Sequence, residues 1–183
     1  MKKILVSLMV LLLTGVVYAN KAERESKREA RKEKRELKEQ QRDIMEGVVS
    51  EKTEWQFALD FPNATDVAYT RTSNFEEAEF TLNGKAMTAY YDFHNELVGT
   101  TNEAFYSDIP ISAQNEIRKF YQDYDVKQVI QFHDNQFNDT DMVLYGTSFE
   151  DTDNWFVELQ KDSKKVIMKV SAEGLVSYYA QLK

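Results

Sequence analysis

The chain contains no cysteine, only two prolines and only two histidines in 183 residues. Without cysteine it can form no disulfide and carry no lipid on an amino-terminal thiol, although small exported domains often lean on disulfides. Thiol nucleophiles are excluded with it. Scarce proline beside an aromatic share of 13% argues for a packed sheet protein rather than a disordered one. The histidines, His94 and His133, stand apart in the sequence, and no Gly-x-Ser-x-Gly elbow occurs. Asp92 and His94 lie two apart on one expected strand and can meet, but nothing completes a nucleophile–base–orienter set. His133-Asp134 lacks partners for zinc. The expectation is no catalytic site, no metal site and no cofactor.

A basic body is missing as well. Residues 48–183 carry twelve more acidic than basic side chains, whereas residues 20–47 hold ten Lys or Arg against eight Asp or Glu. An acidic body repels phosphate backbones, so nucleic acid is excluded as a partner.

What the chain does have begins with MKKILVSLMVLLLTGVVYA, residues 1–19. A basic start, an apolar run from Ile4 to Leu13 and small residues ending at Ala19 fit an export signal cleaved after Ala19. The run is short for a membrane span, which needs roughly 20 apolar residues. The expected location is the periplasm or outside the cell, with no stable membrane span after cleavage. Residues 20–47 are then a charged helical segment or linker. Pairs such as Glu23 with Lys27 and Glu29 with Lys32 support a helix weakly. Ala30, Leu37 and Ile44 repeat every seven residues, but Glu33, Gln40 and Gly47 leave no second apolar seam for a coiled coil.

Residues 48–183 read as one domain in two similar parts, about 48–104 and about 105–183. Val48, Lys52, Trp55 and Leu59 share a helical face, and Pro62 closes that helix. Strands follow at Val67–Thr72, Phe75–Leu82, Met87–Phe93 and Leu97–Thr101, with Asn83-Gly84 as a two-residue hairpin turn. Ser112 is a candidate cap for a second helix striped by Ile117, Phe120, Tyr121 and Tyr124. Further strands are expected at Val126–His133, Met142–Tyr145, Trp155–Gln160, Lys165–Val170 and Leu175–Ala180, with loops at residues 134–141 and 149–154. Asp66-Val67 matches Asp125-Val126 at a spacing of 59, and Leu97-Val98 matches Leu175-Val176 at 78. The fold class is α+β: two tandem helix-plus-four-strand repeats forming a curved antiparallel sheet, with helices packed on one face.

FPNATDVAY, EFTLNGKAMTAYYD, IPISAQNEIRKFY and VIMKVSAEGLVSYY together resemble the PepSY-like, β-lactamase-inhibitor-like periplasmic proteins, over roughly Glu54 to Lys183. The resemblance implies the same tandem architecture and an exported protein without enzymatic activity that grips another protein. The lactamase inhibitors of that fold use disulfides, which this chain cannot form, and their gripping residues have no match here. Lactamase inhibition is not carried over.

If helices cover one sheet face, the other should present Tyr90, Phe156 and Tyr178 among polar neighbours, a composition used by protein interfaces. The leading function is a binding or inhibitory module that holds a protein or peptide of the cell envelope on that face. The alternatives are a structural or stress-related envelope protein working through the charged helix, and a weak calcium-dependent binder using Asp139-Thr-Asp141 or Asp151-Thr-Asp153. Mass spectrometry of the exported protein should find Asn20 as its first residue. A mature chain that retains Met1 would make residues 1–19 an anchor.

Overall fold

The computed structural model describes Lys27, Arg28, Arg31, Lys32 and Lys34, all helical and exposed, and residues 48–182. The signal segment, its cleavage site and the Ala30, Leu37, Ile44 repeat lie outside the described residues. Among the described residues no helix is long and apolar enough to cross a membrane. Residues 46–183 form a compact unit of their own.

Helix α1 spans Glu51–Asp60 and begins at Ser50, whose hydroxyl accepts the Thr53 N–H at 3.2 Å. It packs through Thr53 and Phe57, which are buried. Val48, Trp55 and Leu59 point the other way, and Trp55 is 65% exposed. The expected apolar face is thus the outer one. Positions 53 and 57 fall on the opposite side of a 3.6-residue helix, and Phe57 finds an aromatic nest there. Its ring meets Phe61 at 5.3 Å, Tyr69 at 5.6 Å and Phe80 at 5.0 Å.

Four strands follow: β1 (Thr65–Arg71), β2 (Glu76–Leu82), β3 (Lys85–Tyr91) and β4 (Leu97–Glu103). Asn83 (φ 52°) and Gly84 (φ 78°) make the tight β2–β3 turn, as both residues tolerate the left-handed region. A 3₁₀ turn at Tyr106–Asp108 leads to helix α2, Ile111–Phe120. Its first turn receives no side-chain cap, and Pro110 stands at the cap position with Ser112 already inside the helix. Proline's fixed φ fits that position, which displaces the expected serine cap. Ala113, Gln114 and Ile117 are buried, while Phe120 faces water. Tyr121 and Tyr124 pack beyond the helix end.

The second part continues with β5 (Asp125–Asp134), β6 (Met142–Leu144), β7 (Thr147–Phe149), β8 (Asn154–Lys161), β9 (Lys164–Ser171) and β10 (Val176–Leu182). The main sheet has eight strands in the order β1-β2-β3-β4-β5-β8-β9-β10, and every pairing is antiparallel. Each part therefore contributes a helix and four neighbouring strands. Both parts break register where the first strand begins, between Thr65 and Ala68 and between Val126 and Gln128. Leu97 pairs with Tyr91 and Val176 with Val170, so the later strands correspond at a spacing of 79 rather than 78.

Both helices lie on one face. Ala89 sits under α1 and pairs with Thr100, which pairs with His133. Four residues back along β5, Val129 lies under α2 and pairs with Val157. One deeply buried carboxylate ties α1 to the sheet. Glu76 Oε1 accepts from Arg71 Nη1 at 2.7 Å and from the Ser50 N–H at 3.2 Å, and Oε2 accepts from the Thr53 hydroxyl. A carboxylate at a helix amino terminus also meets the positive end of the helix dipole. Glu76→Ala should lower the unfolding free energy by about 2–4 kcal/mol, because it leaves Arg71, the Ser50 N–H and the Thr53 hydroxyl without their shared acceptor. A urea midpoint unchanged by this substitution would show that the cluster contributes nothing.

Candidate functional site

The face opposite the helices divides into a covered part and an open part. On β5, β8 and β9 it carries Phe132, Phe156 and Ile167, all fully buried. What buries them is the β6–β7 hairpin, in a stretch expected to hold one short strand between two loops. Met142 and Phe149 pair across the hairpin and press their side chains into the same cluster. Phe149 meets Phe132 edge-on at 5.1 Å and Phe156 at 4.9 Å. The Tyr179 hydroxyl donates to the carbonyls of Leu144 or Thr147, which pins the hairpin to β10.

This cover corrects the expected binding surface. Phe156 has no exposed area and Tyr90 only 9%, because both lie in the cluster beneath the hairpin. Tyr178 is 58% exposed but pairs with Met168, a residue of the core under α2. Alternation from the Val176–Val170 and Tyr178–Met168 pairs puts Tyr179, rather than Tyr178, on the covered face, and the bulge that follows keeps Ala180 there as well. The structure brings Tyr90 and Phe156 together and leaves Tyr178 on the helix side.

The open part is a concavity of about 390 Å³ on the first repeat and the seam. Thr81, Ala86, Thr88, Thr101 and Ile130 line its strands, and Asp66, Glu79 and Glu103 supply its charge. No Lys or Arg lines it among the described residues. Glu77, next to Glu79 on the same face of β2, has its carboxyl pushed upward by burial and then by the charge of Glu79, against a lowering hydrogen bond from Thr72. The charges that line it are all negative among the described residues.

Tyr145 marks where the cover stops. It occupies the β6–β7 turn with φ 52°, followed by Gly146 at 74°. The other non-glycine residues with positive φ are Asp66, Asn83, Asn95 and Asp162, the types that tolerate it. A tyrosine there is held against its backbone preference. Its ring lies 6.4 Å from Phe156 and is 36% exposed. Burial, then the charge of Glu158, pushes its hydroxyl up to about 12. Glu158 itself is buried and paired with Lys165 at 2.8 Å. Tyr90 bridges the two parts. It lies in the cluster beneath the hairpin and shares a hydrogen bond of 3.1 Å with Thr101 in the floor of the concavity. The composition of residues 142–149 could have suggested the cover, because Met-Val-Leu-Tyr-Gly-Thr-Ser-Phe reads as two short strands about a tight turn.

The remaining expected chemistry is dispersed. Strand β3 ends at Tyr91, so Asp92 and His94 sit in a turn rather than on a strand. Asp92 Oδ1 accepts the N–H groups of His94 and Glu96 at 2.8 and 3.0 Å, and His94 Nδ1 lies 3.5 Å from Oδ2 on the surface. His133 pairs with Thr100 on the helix face, away from them. Among the described residues no three His, Asp or Glu side chains gather as metal ligands, and the Asp139 and Asp151 loops are included in that statement.

No family model matches the chain, and no curated protein matches it. Solved structures share its fold. A DUF2874 family protein from Bacteroides uniformis superposes with a TM-score of 0.60 at 14% identity, over 73% of this chain and 89% of that one. A Bacteroides eggerthii protein named for a periplasmic location gives 0.61 at 14% identity, over 74% and 90%. A BLIP-like protein from Bacteroides fragilis gives 0.55 at 15% identity, over 73% and 86%. At these identities the likeness is one of fold.

The burial assignments are checked directly by substitution. Phe156→Ala should cost about 3–5 kcal/mol of stability in urea unfolding, as for a ring removed from a core. Tyr178→Ala should stay within about 0.5 kcal/mol, as for an exposed site. Equally small effects would return Phe156 to an open surface.

Proposed function

We propose that the chain is an exported, non-catalytic binding or inhibitory module that holds a basic segment of an envelope protein in its open sheet concavity. The observation that carries this reading is the concavity's lining, with Asp66, Glu79 and Glu103 among threonines and no Lys or Arg among the described residues that line it. Charge complementarity across an interface steers association and selects partners. The half-exposed ring of Tyr145 supplies the aromatic surface that interfaces use, and a cation can also lie on it. Tyr90 and Phe156 support this surface from below rather than touching the partner. PepSY-like membership and a location in the periplasm or beyond belong to the same reading, supported by the export-signal pattern and by the fold shared with the BLIP-like and periplasm-named structures.

Glu79→Lys combined with Ala86→Arg alters two exposed positions of the concavity and spares the core. Cross-linked partners recovered from envelope extract should fall by at least about tenfold with this variant, which corresponds to about 1.4 kcal/mol. Recovery from wild type should also fall as salt rises. Equal recovery of every partner would remove the sheet face from the function. Deleting residues 20–47 separates this reading from one in which the charged segment does the work, since recovery should then be unchanged.

A further inference from the structure

The β6–β7 cover is tied to the sheet through two connectors of different chemistry. The first, between β5 and β6, is held by neutral amides. Asn135 Nδ2 donates to the Leu97 carbonyl at 2.6 Å and Asn138 Nδ2 to the Glu96 carbonyl at 3.4 Å. The second, residues 150–153 between β7 and β8, meets the end of β5 through carboxyl groups. Asp153 Oδ1 accepts the Asp134 N–H at 2.8 Å. The Asp134 and Asp151 side chains approach within hydrogen-bonding reach of each other. Asp134 Oδ1 and Asp151 Oδ1 are both shielded from solvent, and neither receives a donor among the described residues.

Two acceptor oxygens in contact repel unless something positive lies between them. We propose that Asp134 and Asp151 share one proton, and that this proton latches the β7–β8 connector to β5, making the hairpin a pH-responsive cover over the apolar centre of the sheet. The surroundings favour a proton. Asp151 and Asp153 are the charged groups that act on Asp134, and both are negative. Opposite Asp134 on β4 stands Gly99, which has nothing to titrate. His133 faces the helix side, Glu150 is exposed in the same connector, and Lys169 is placed over the Phe149 ring. The carboxylates do not converge as metal ligands do.

The direction of the response follows from linkage. Burial first, then Asp151 and Asp153, lift the Asp134 carboxyl from 3.8 to about 7. Between those values the folded chain holds a proton that the unfolded chain has released, so stability falls as pH rises through that interval. The latch is complete in acid and lost above about pH 7. Like carboxylates sharing a site commonly divide their protons in this way. The inference concerns the cover alone and stands whether or not the concavity binds a partner.

Amide hydrogen exchange on the full chain tests it, with rates corrected for the intrinsic effect of pH. Protection of Met142–Phe149 relative to β8 and β9 should drop by about tenfold or more from pH 5.5 to pH 8, as local opening of a weakly held element allows. In Asp151→Asn the amide donates to the Asp134 carboxylate at every pH. That variant should keep its cover protected at pH 8 and lose the carboxyl carbon signal titrating near neutrality. Wild-type protection that ignores pH, or a variant that keeps the wild-type pH profile, would overturn the shared proton. So would restoration of wild-type protection at pH 8 by millimolar calcium, which would assign the pair to a cation instead.

Discussion

The pairing of β4 with β5 is the contact on which the rest of the molecule depends. It joins two four-stranded units into one sheet, with Gly99 opposite Asp134 and Thr101 opposite Phe132. The approach is close: a Cβ on Gly99 would stand 2.6 Å from the Phe132 ring and from the His133 carbonyl. Only glycine lets the Phe132 ring lie flat across the seam. Antiparallel pairing preserves alternation from strand to strand, so this one junction sets both helices on the same side. It also brings the apolar centre of the other face together, since Phe132 of the seam joins Phe156 and Ile167 of the second unit.

Much of this architecture was legible in the sequence because strands write their faces as alternation. Ala78, Phe80, Ala89 and Tyr91 alternate with polar residues and do form one core. The Asn83-Gly84 turn followed from backbone chemistry alone. Helix α1 was misread because an apolar stripe signals burial only when the sheet offers it a surface. Trp55 and Leu59 form the more apolar stripe, but the aromatic nest around Phe57 supplies more contact. A single phenylalanine outweighed the periodicity.

The binding face was legible in outline and wrong in detail for a related reason. Alternation placed Tyr90 and Phe156 away from the helices, and that placement holds. Whether a face is wet depends on what else returns to it, and residues 135–153 contain enough Asn, Asp and Thr to look like open loop. Four of their apolar residues, Met142, Val143, Leu144 and Phe149, nevertheless fall on strands three residues long that pair about a tight turn. Tyr178 failed through register. The pairing of Val176 with Val170 and of Tyr178 with Met168 sets both on the helix side, out of step with Ala180 and Leu182 beyond the bulge, and nothing local to Val176–Leu182 announces that shift.

The boundary between covered and open sheet then has a physical origin in two compositions. Thr81, Thr88, Thr101 and Glu79 can face water at little cost, whereas Phe132, Phe156 and Ile167 cannot. The cover must reach the second group and stop before the first. A two-residue turn is the shortest way to stop a hairpin, and it demands left-handed backbone at both positions. Asparagine would meet that demand at least strain but would leave the edge of Phe156 wet. Tyrosine accepts a conformational cost of roughly 1–2 kcal/mol and lays its ring beside Phe156 instead. The strain at Tyr145 is thus the consequence of ending a cover at a fixed line, and the same line leaves the acidic, threonine-lined concavity open.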